Sequence, residues 1–129
     1  MSISSPIVSG RWDNTCMDIG ELQSKLRAFT AERQWDQFHT IKNLILALTG
    51  EVGELAASVQ WLESVDLDAL NSDPKLRAAF NEEIADVFIY LLRLADVSQT
   101  NLIEVAKNKI EENAKRYTVE KSRGNARKQ

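Results

Sequence analysis

The sequence predicts an all-α protein: four helices packed as an antiparallel bundle. Three observations carry this. Apolar residues recur at helical spacing through four stretches, and no stretch shows strand alternation. Cap-like residues (Thr15, Thr40, Asp73-Pro74 and Thr100-Asn101) precede those stretches. Two acidic pairs, Glu51 with Glu54 and Glu83 with Asp86, have i, i+3 spacing, so each pair shares one helical face.

Residues 1–14 are rich in Ser, Pro, Gly and Asn, and read as a mobile arm. Thr15 and Asp18 form a capping-box pattern that opens a helix over 16–34, with Ile19, Leu22, Leu26 and Phe29 on its apolar face. Residues 35–39 read as a loop or short turn. Thr40 caps a second helix over 41–62. Gly50 and Gly53 weaken it by about 1 kcal/mol each relative to alanine; they lie opposite the core stripe, where another backbone can approach closely. Residues 63–72 are acidic and loop-like. Asp66, Asp68 and Asn71 hint at a calcium loop, but the required glycine and terminal glutamate are out of place. Asp73 and Pro74 start a third helix over 74–97. From 84 to 95 it is apolar nearly all round, broken only by Asp86 and Arg93, which predicts burial on most sides. The fourth helix runs from 101 to 117. The tail from 119 to 129 is polar and expected to fray. The whole chain, 1–129, reads as a single domain.

Composition narrows the function. A net charge of −3 argues against a nucleic-acid partner, and the basic stretch 121–128 reads as a solvated tail. One cysteine, Cys16, allows no internal disulfide and fits a reducing compartment. With no signal-peptide pattern and no membrane-length apolar run, a cytoplasmic location is expected.

The acids are the chemical centre. At about 100° per residue, Glu51 lines up with Leu44, Ala47, Leu48 and Leu55. Glu83 lines up with Leu76, Phe80, Val87 and Tyr90. The carboxylates thus sit on stripes that should face the core, although an acidic pair is more commonly just a solvated helix surface. Removing an ionised carboxylate from water costs several kcal/mol. A hard divalent cation with oxygen ligands, Mg²⁺ or Mn²⁺, offsets that cost.

Lys109, Asn113 and Arg116 follow i, i+4, i+7 in line with Leu102, Val105 and Ala106. Alone, such a stripe would snorkel to solvent. Beside an inward acidic cluster, it suits phosphate binding and phosphoryl transfer. Trp35, His39, Trp61 and Tyr90 are each ordinary packing residues when taken singly. Together, beside a phosphate-and-metal site, they form a candidate stacking slot for a nucleobase.

Glu-x-x-Glu, 28 intervening residues and then Glu-x-x-Asp resembles the MazG-type all-α nucleoside triphosphate pyrophosphohydrolases. Residues 32–39, 42–44, 50–55, 60–61 and 82–92, with Lys109, Asn113, Arg116 and Tyr117, resemble the branch that includes the dCTP pyrophosphatases. The resemblance implies Mg²⁺-dependent cleavage between the α- and β-phosphates. It implies metal ligands at Glu51, Glu54, Glu83 and Asp86, and phosphate contacts from Lys109, Asn113 and Arg116. It implies a base and sugar pocket from Trp35, His39, Trp61 and Tyr90. It also implies a homodimer or homotetramer with sites at subunit interfaces, in keeping with the all-round apolar third helix.

The expected activity is hydrolysis of deoxynucleoside triphosphates such as dCTP to the monophosphate and pyrophosphate, with Glu54 as the candidate general base. Two other classes remain. A di-iron carboxylate bundle would use Glu-x-x-His pairs, and the one histidine lies outside any such pair. A non-enzymatic helical module would bind a partner through the third helix.

Overall fold

The computed structural model describes residues 17–127. The expected arm over 1–14 and the expected cap Thr15 lie outside that range. Every regular element among the described residues is helical.

Helix α1 spans Ile19–Glu32. Its N-cap is Asp18, three residues later than the expected Thr15. The Asp18 carboxylate accepts from the Glu21 backbone N–H at 2.7 Å, and Glu21 reaches back to the Asp18 N–H at 3.1 Å. That reciprocal pair satisfies two donors the first turn would leave bare. The helix ends in a tight reversal: the Gln34 N–H bonds Ala31 and the Trp35 N–H bonds Thr30, with Gln34 at φ +54°. This places a glutamine where glycine is the usual choice.

A single 3₁₀ turn, Asp36–Phe38, leads to helix α2, Ile41–Val59, capped by Thr40. The expected extension of α2 to residue 62 does not occur. Residues 60–66 form the connection, and Trp61 stands 89% exposed there. The expected loop over 63–72 is a loop only in its first half. Asp66 caps a short helix α3, Leu67–Ser72, which buries Leu70. Its acidic composition hid it, although Asp66 accepts from the Ala69 N–H as an N-cap should.

Helix α4, Pro74–Val97, begins where Asp73 and Pro74 predict, with the Asp73 carboxylate accepting from the N–H groups of Lys75 and Leu76. Helix α5 spans Leu102–Arg116 behind Asn101. A short α6, Val119–Ser122, follows in the segment expected to fray.

Helix α4 is the hub. It packs most extensively on α2, then on α1 and α3. Leu44 of α2 and Leu92 and Ala95 of α4 are the best-buried apolar side chains. The all-round burial expected of α4 is not met within one chain, because Ile84, Phe88, Ile89 and Leu91 remain exposed. Nor is the expected inward stripe of the fourth helix met: residues 103–116 are all exposed, and α5 makes no extensive contact with another helix. Gly50 and Gly53 face open space rather than an approaching backbone of the same chain.

Candidate functional site

The pairing of α2 on α4 brings the acids together. Glu51, Glu83 and Asp86 each offer one carboxylate oxygen, and these lie within 4.8 Å of one another. All three side chains are half-buried. Two of the oxygens, Glu51 Oε2 and Glu83 Oε2, are buried with no hydrogen-bond donor. A buried acceptor without a donor costs about 1–3 kcal/mol, and more when charged, a cost that a bound cation or a proton would offset.

The titration of the cluster reflects this. Loss of solvent is the main force holding the Glu51 carboxyl above its ordinary range; Glu54, Asp86 and Glu83 add negative charge, and a side-chain hydrogen bond with Glu54 pushes the same way. Glu83 is raised first by loss of solvent, then by Glu54, Asp86 and Glu82. Glu54 itself is exposed, at the solvent edge of the trio rather than inside it. No lysine or arginine is among the charges acting on Glu51 or Glu83. The donor set, hard oxygens on three carboxylates, fits Mg²⁺ or Mn²⁺.

Asp86 also lines a cleft of about 330 Å³ between α1, the 3₁₀ turn and α4. That volume lies at the lower end of small-molecule sites. Leu26, Phe29 and Ile89 supply apolar walls, and Trp35, His39 and Tyr90 line it as well. Trp35 is held edge-to-face against Phe29, 5.7 Å between centroids, and Phe29 in turn carries the Arg33 guanidinium over its ring. One face of the cleft is thus aromatic, beside a carboxylate that belongs to the acidic trio.

A family model described as the MazG nucleotide pyrophosphohydrolase domain matches residues 39–118. The chain belongs to the MazG family. The mouse and human dCTP pyrophosphatase 1 proteins are 45% and 41% identical to it, over 87% and 88% of this chain. The chain spans 64–65% of the length of those relatives. A crystal structure of a pyrophosphatase from Archaeoglobus fulgidus is 41% identical, with a TM-score of 0.70, over 78% of this chain and 92% of that one.

Within this MazG chain, the residues singled out from sequence fall into three groups. Glu51, Glu83 and Asp86 converge, with Glu54 beside them. Trp35, His39 and Tyr90 line the cleft that Asp86 shares. Trp61, Lys109, Asn113 and Arg116 stand apart from both. Trp61 sits beyond the end of α2. Lys109 pairs with Glu112 on its own helix at 3.1 Å, and the Arg116 guanidinium lies over the Tyr117 ring.

The structure also adds residues. Arg93 lines the cleft and is 8% exposed. It forms ion pairs with Asp36 at 2.6 Å and Asp96 at 3.3 Å. Asp96 continues to Arg27 of α1 at 2.6 Å. Thr30, also buried, donates to Asp36 at 2.9 Å. The signal for Arg93 was present: it is the one cation in an otherwise apolar run. Asp96 lies one turn along the same helix, but Asp36 lies on the 3₁₀ turn, where spacing alone could not find it.

Proposed function

We propose that the chain is a Mg²⁺-dependent nucleoside triphosphate pyrophosphohydrolase acting on deoxynucleotides such as dCTP. One observation carries the proposal: a carboxylate trio with two donorless buried oxygens shares Asp86 with an aromatic cleft large enough for a base. The MazG relationship and the names of the relatives point the same way.

Glu51, Glu83 and Asp86 hold the divalent cation, with Glu54 available as a fourth ligand. A divalent cation held by these carboxylates would supply charge neutralisation for the phosphates and would lower the pKa of a water. Glu54, the exposed carboxylate of the set, is the candidate general base for the proton of an attacking water. Water adds to the α-phosphorus, the bond to the α–β bridging oxygen breaks, and that oxygen leaves on pyrophosphate. Trp35 and Tyr90 flank the base, and the apolar walls keep bulk water from it.

The cationic residues enter through a second copy of the chain. Lys109, Asn113 and Arg116 lie on an α5 that one chain leaves exposed, and α4 presents Ile84, Phe88 and Leu91 uncovered. A homodimer or homotetramer covers the apolar faces and delivers those side chains, and Trp61, to a neighbouring site. Light scattering at micromolar concentration is expected to give at least twice the 14.6 kDa chain mass. No helix among the described residues is long and apolar enough to cross a membrane; we place the activity with the cytoplasmic nucleotide pool. The di-iron alternative gains no support, since the clustered ligands include no histidine.

The deciding experiment is a hydrolysis panel over the common triphosphates, with and without Mg²⁺, measuring pyrophosphate and orthophosphate separately. Mg²⁺-dependent pyrophosphate release, greatest with dCTP, is expected. Orthophosphate release would overturn the position of cleavage, and no hydrolysis of any nucleotide would favour the non-enzymatic module.

A further inference from the structure

Arg93 does more than balance charge. A buried guanidinium must direct its N–H groups at acceptors. Nη2 donates to Asp36 Oδ1 at 2.6 Å and Nη1 to Asp96 Oδ2 at 3.3 Å. The remaining contact is unusual: Nε donates to Nδ1 of His39 at 3.1 Å. Arginine has no acceptor and keeps its protons at any working pH. Nδ1 must therefore present a lone pair. An imidazolium, or a ring protonated on Nδ1, would set N–H against N–H. The ring is left with its single proton on Nε2, a nitrogen with no partner among the described residues. His39 lines the cleft beside Trp35 and Tyr90.

Two further features work in the same direction. Burial, and then the Arg93 charge, hold the imidazole below its ordinary titration range, while Asp36 pulls the other way. Asp36 is itself fixed by the buried Thr30 hydroxyl, so the guanidinium is held on both sides of the ring contact.

We infer that Arg93 is a positioning residue: it keeps His39 neutral, with the ring proton on Nε2, as a hydrogen-bond donor to an acceptor on the edge of the substrate's base. This rests on the nucleotide reading above and deepens it. The base class is one whose edge presents an unprotonated ring nitrogen, as N3 of cytosine does. At the same position the N3–H of thymine or uracil opposes a donor with a donor. Arg93 has no need to touch the base. Its contribution is to choose which of two tautomers the cleft displays.

The chain contains one histidine, so a long-range ¹H–¹⁵N spectrum of the untagged protein holds a single imidazole. At pH 7.5 without nucleotide, the expected pattern is one protonated nitrogen, Nε2, and one lone-pair nitrogen, Nδ1. An Nδ1–H form, a tautomer mixture or an imidazolium would overturn the inference. The Arg93→Lys variant keeps the charge and loses the Nε donor. It should show mixed tautomers, with KM for dCTP raised about five- to tenfold, the equivalent of one hydrogen bond, and kcat within about twofold. In a His39→Ala background, Arg93→Lys should add nothing to KM. An unchanged tautomer in Arg93→Lys, or a full additional rise in KM in the double variant, would also overturn it. If Arg93→Lys does not fold, the wild-type spectrum still decides. A chain that hydrolyses no nucleotide yet displays the Nε2–H ring overturns the functional reading and supports the hold of Arg93 on His39.

Discussion

Helix α4 carries two charged clusters of opposite character. Toward its N-terminal half, Glu83 and Asp86 meet Glu51 of α2, and like charges are crowded together with two oxygens lacking any donor. Toward its C-terminal end, Arg93 and Asp96 meet Asp36, His39 and Arg27, and each charge has an opposite neighbour. The first cluster costs free energy until something positive arrives. The ion pairs of the second are complete without a ligand and fix the position of the groups around them, His39 included. A completed ionic network reads as scaffold, and an incomplete one as a candidate ligand site.

The sharpest way to break this contrast is to remove a ligand from the incomplete cluster. Even partners one shell out from a metal cost 10- to 100-fold when mutated, so Glu51→Gln or Asp86→Asn should leave below about 1% of wild-type turnover. Near-normal Mg²⁺-dependent rates in both would remove the trio from the site. Folding should not suffer, because each substitution relieves like-charge repulsion.

Removing Arg93 tests the complete cluster. Arg93→Met keeps the side-chain volume but leaves Asp36 without a cation and Asp96 paired with Arg27 alone. Breaking a buried pair costs about 3–5 kcal/mol. The Asp36 side chain is 55% exposed, and that exposure reduces the expected loss to about 2 kcal/mol. Urea denaturation measures it; no loss of stability would make the network ornamental.

The two clusters should also respond oppositely to pH. Glu51 and Glu83 titrate above their ordinary 4.5 in the folded chain. Their stabilising contribution is full below 4.5 and is lost as pH rises through the elevated values. His39 titrates below its ordinary 6.5. Its contribution is present above 6.5 and is lost as pH falls through the lowered value. Metal-free protein should therefore gain stability on Glu51→Gln at neutral pH, whereas His39→Ala should flatten the loss on the acid side of 6.5. Mg²⁺ should reverse the first effect and leave the second alone. Melting curves across pH, with and without Mg²⁺, check both.

The smallest expected effects lie at the helix ends that frame the complete cluster. Gln34 and Gln99 hold φ near +55° at the ends of α1 and α4. A left-handed conformation costs an L-residue about 1–2 kcal/mol, and glycine avoids it. Part of that gain is lost to the greater freedom of glycine when unfolded. Gln34→Gly or Gln99→Gly should each stabilise by about 0.5–1 kcal/mol. A fall in melting temperature would mean that the glutamine side chains contribute contacts beyond the turn itself.

The sequence by itself determined the helical class, the start of α4 at Asp73-Pro74, the cap at Thr40, and a set of acids on apolar stripes; it left the cap of α5 between Thr100 and Asn101. These are local properties, set by a side chain and the few residues within one or two turns of it. Glu51, Glu54, Glu83 and Asp86 could be singled out together because an apolar stripe is a poor place for a carboxylate, whatever lies opposite. Only the tertiary structure decided that Glu54 stands at the solvent edge, that Trp61 falls outside the cleft, and that α5 leaves its cationic stripe exposed. Only it decided that Arg93 reaches His39 across 54 residues of chain. Those outcomes depend on which helix faces which, and on how far a helix extends before its end. Periodicity says that a side chain points inward; it does not say what, in this chain or a second copy, will be there to meet it.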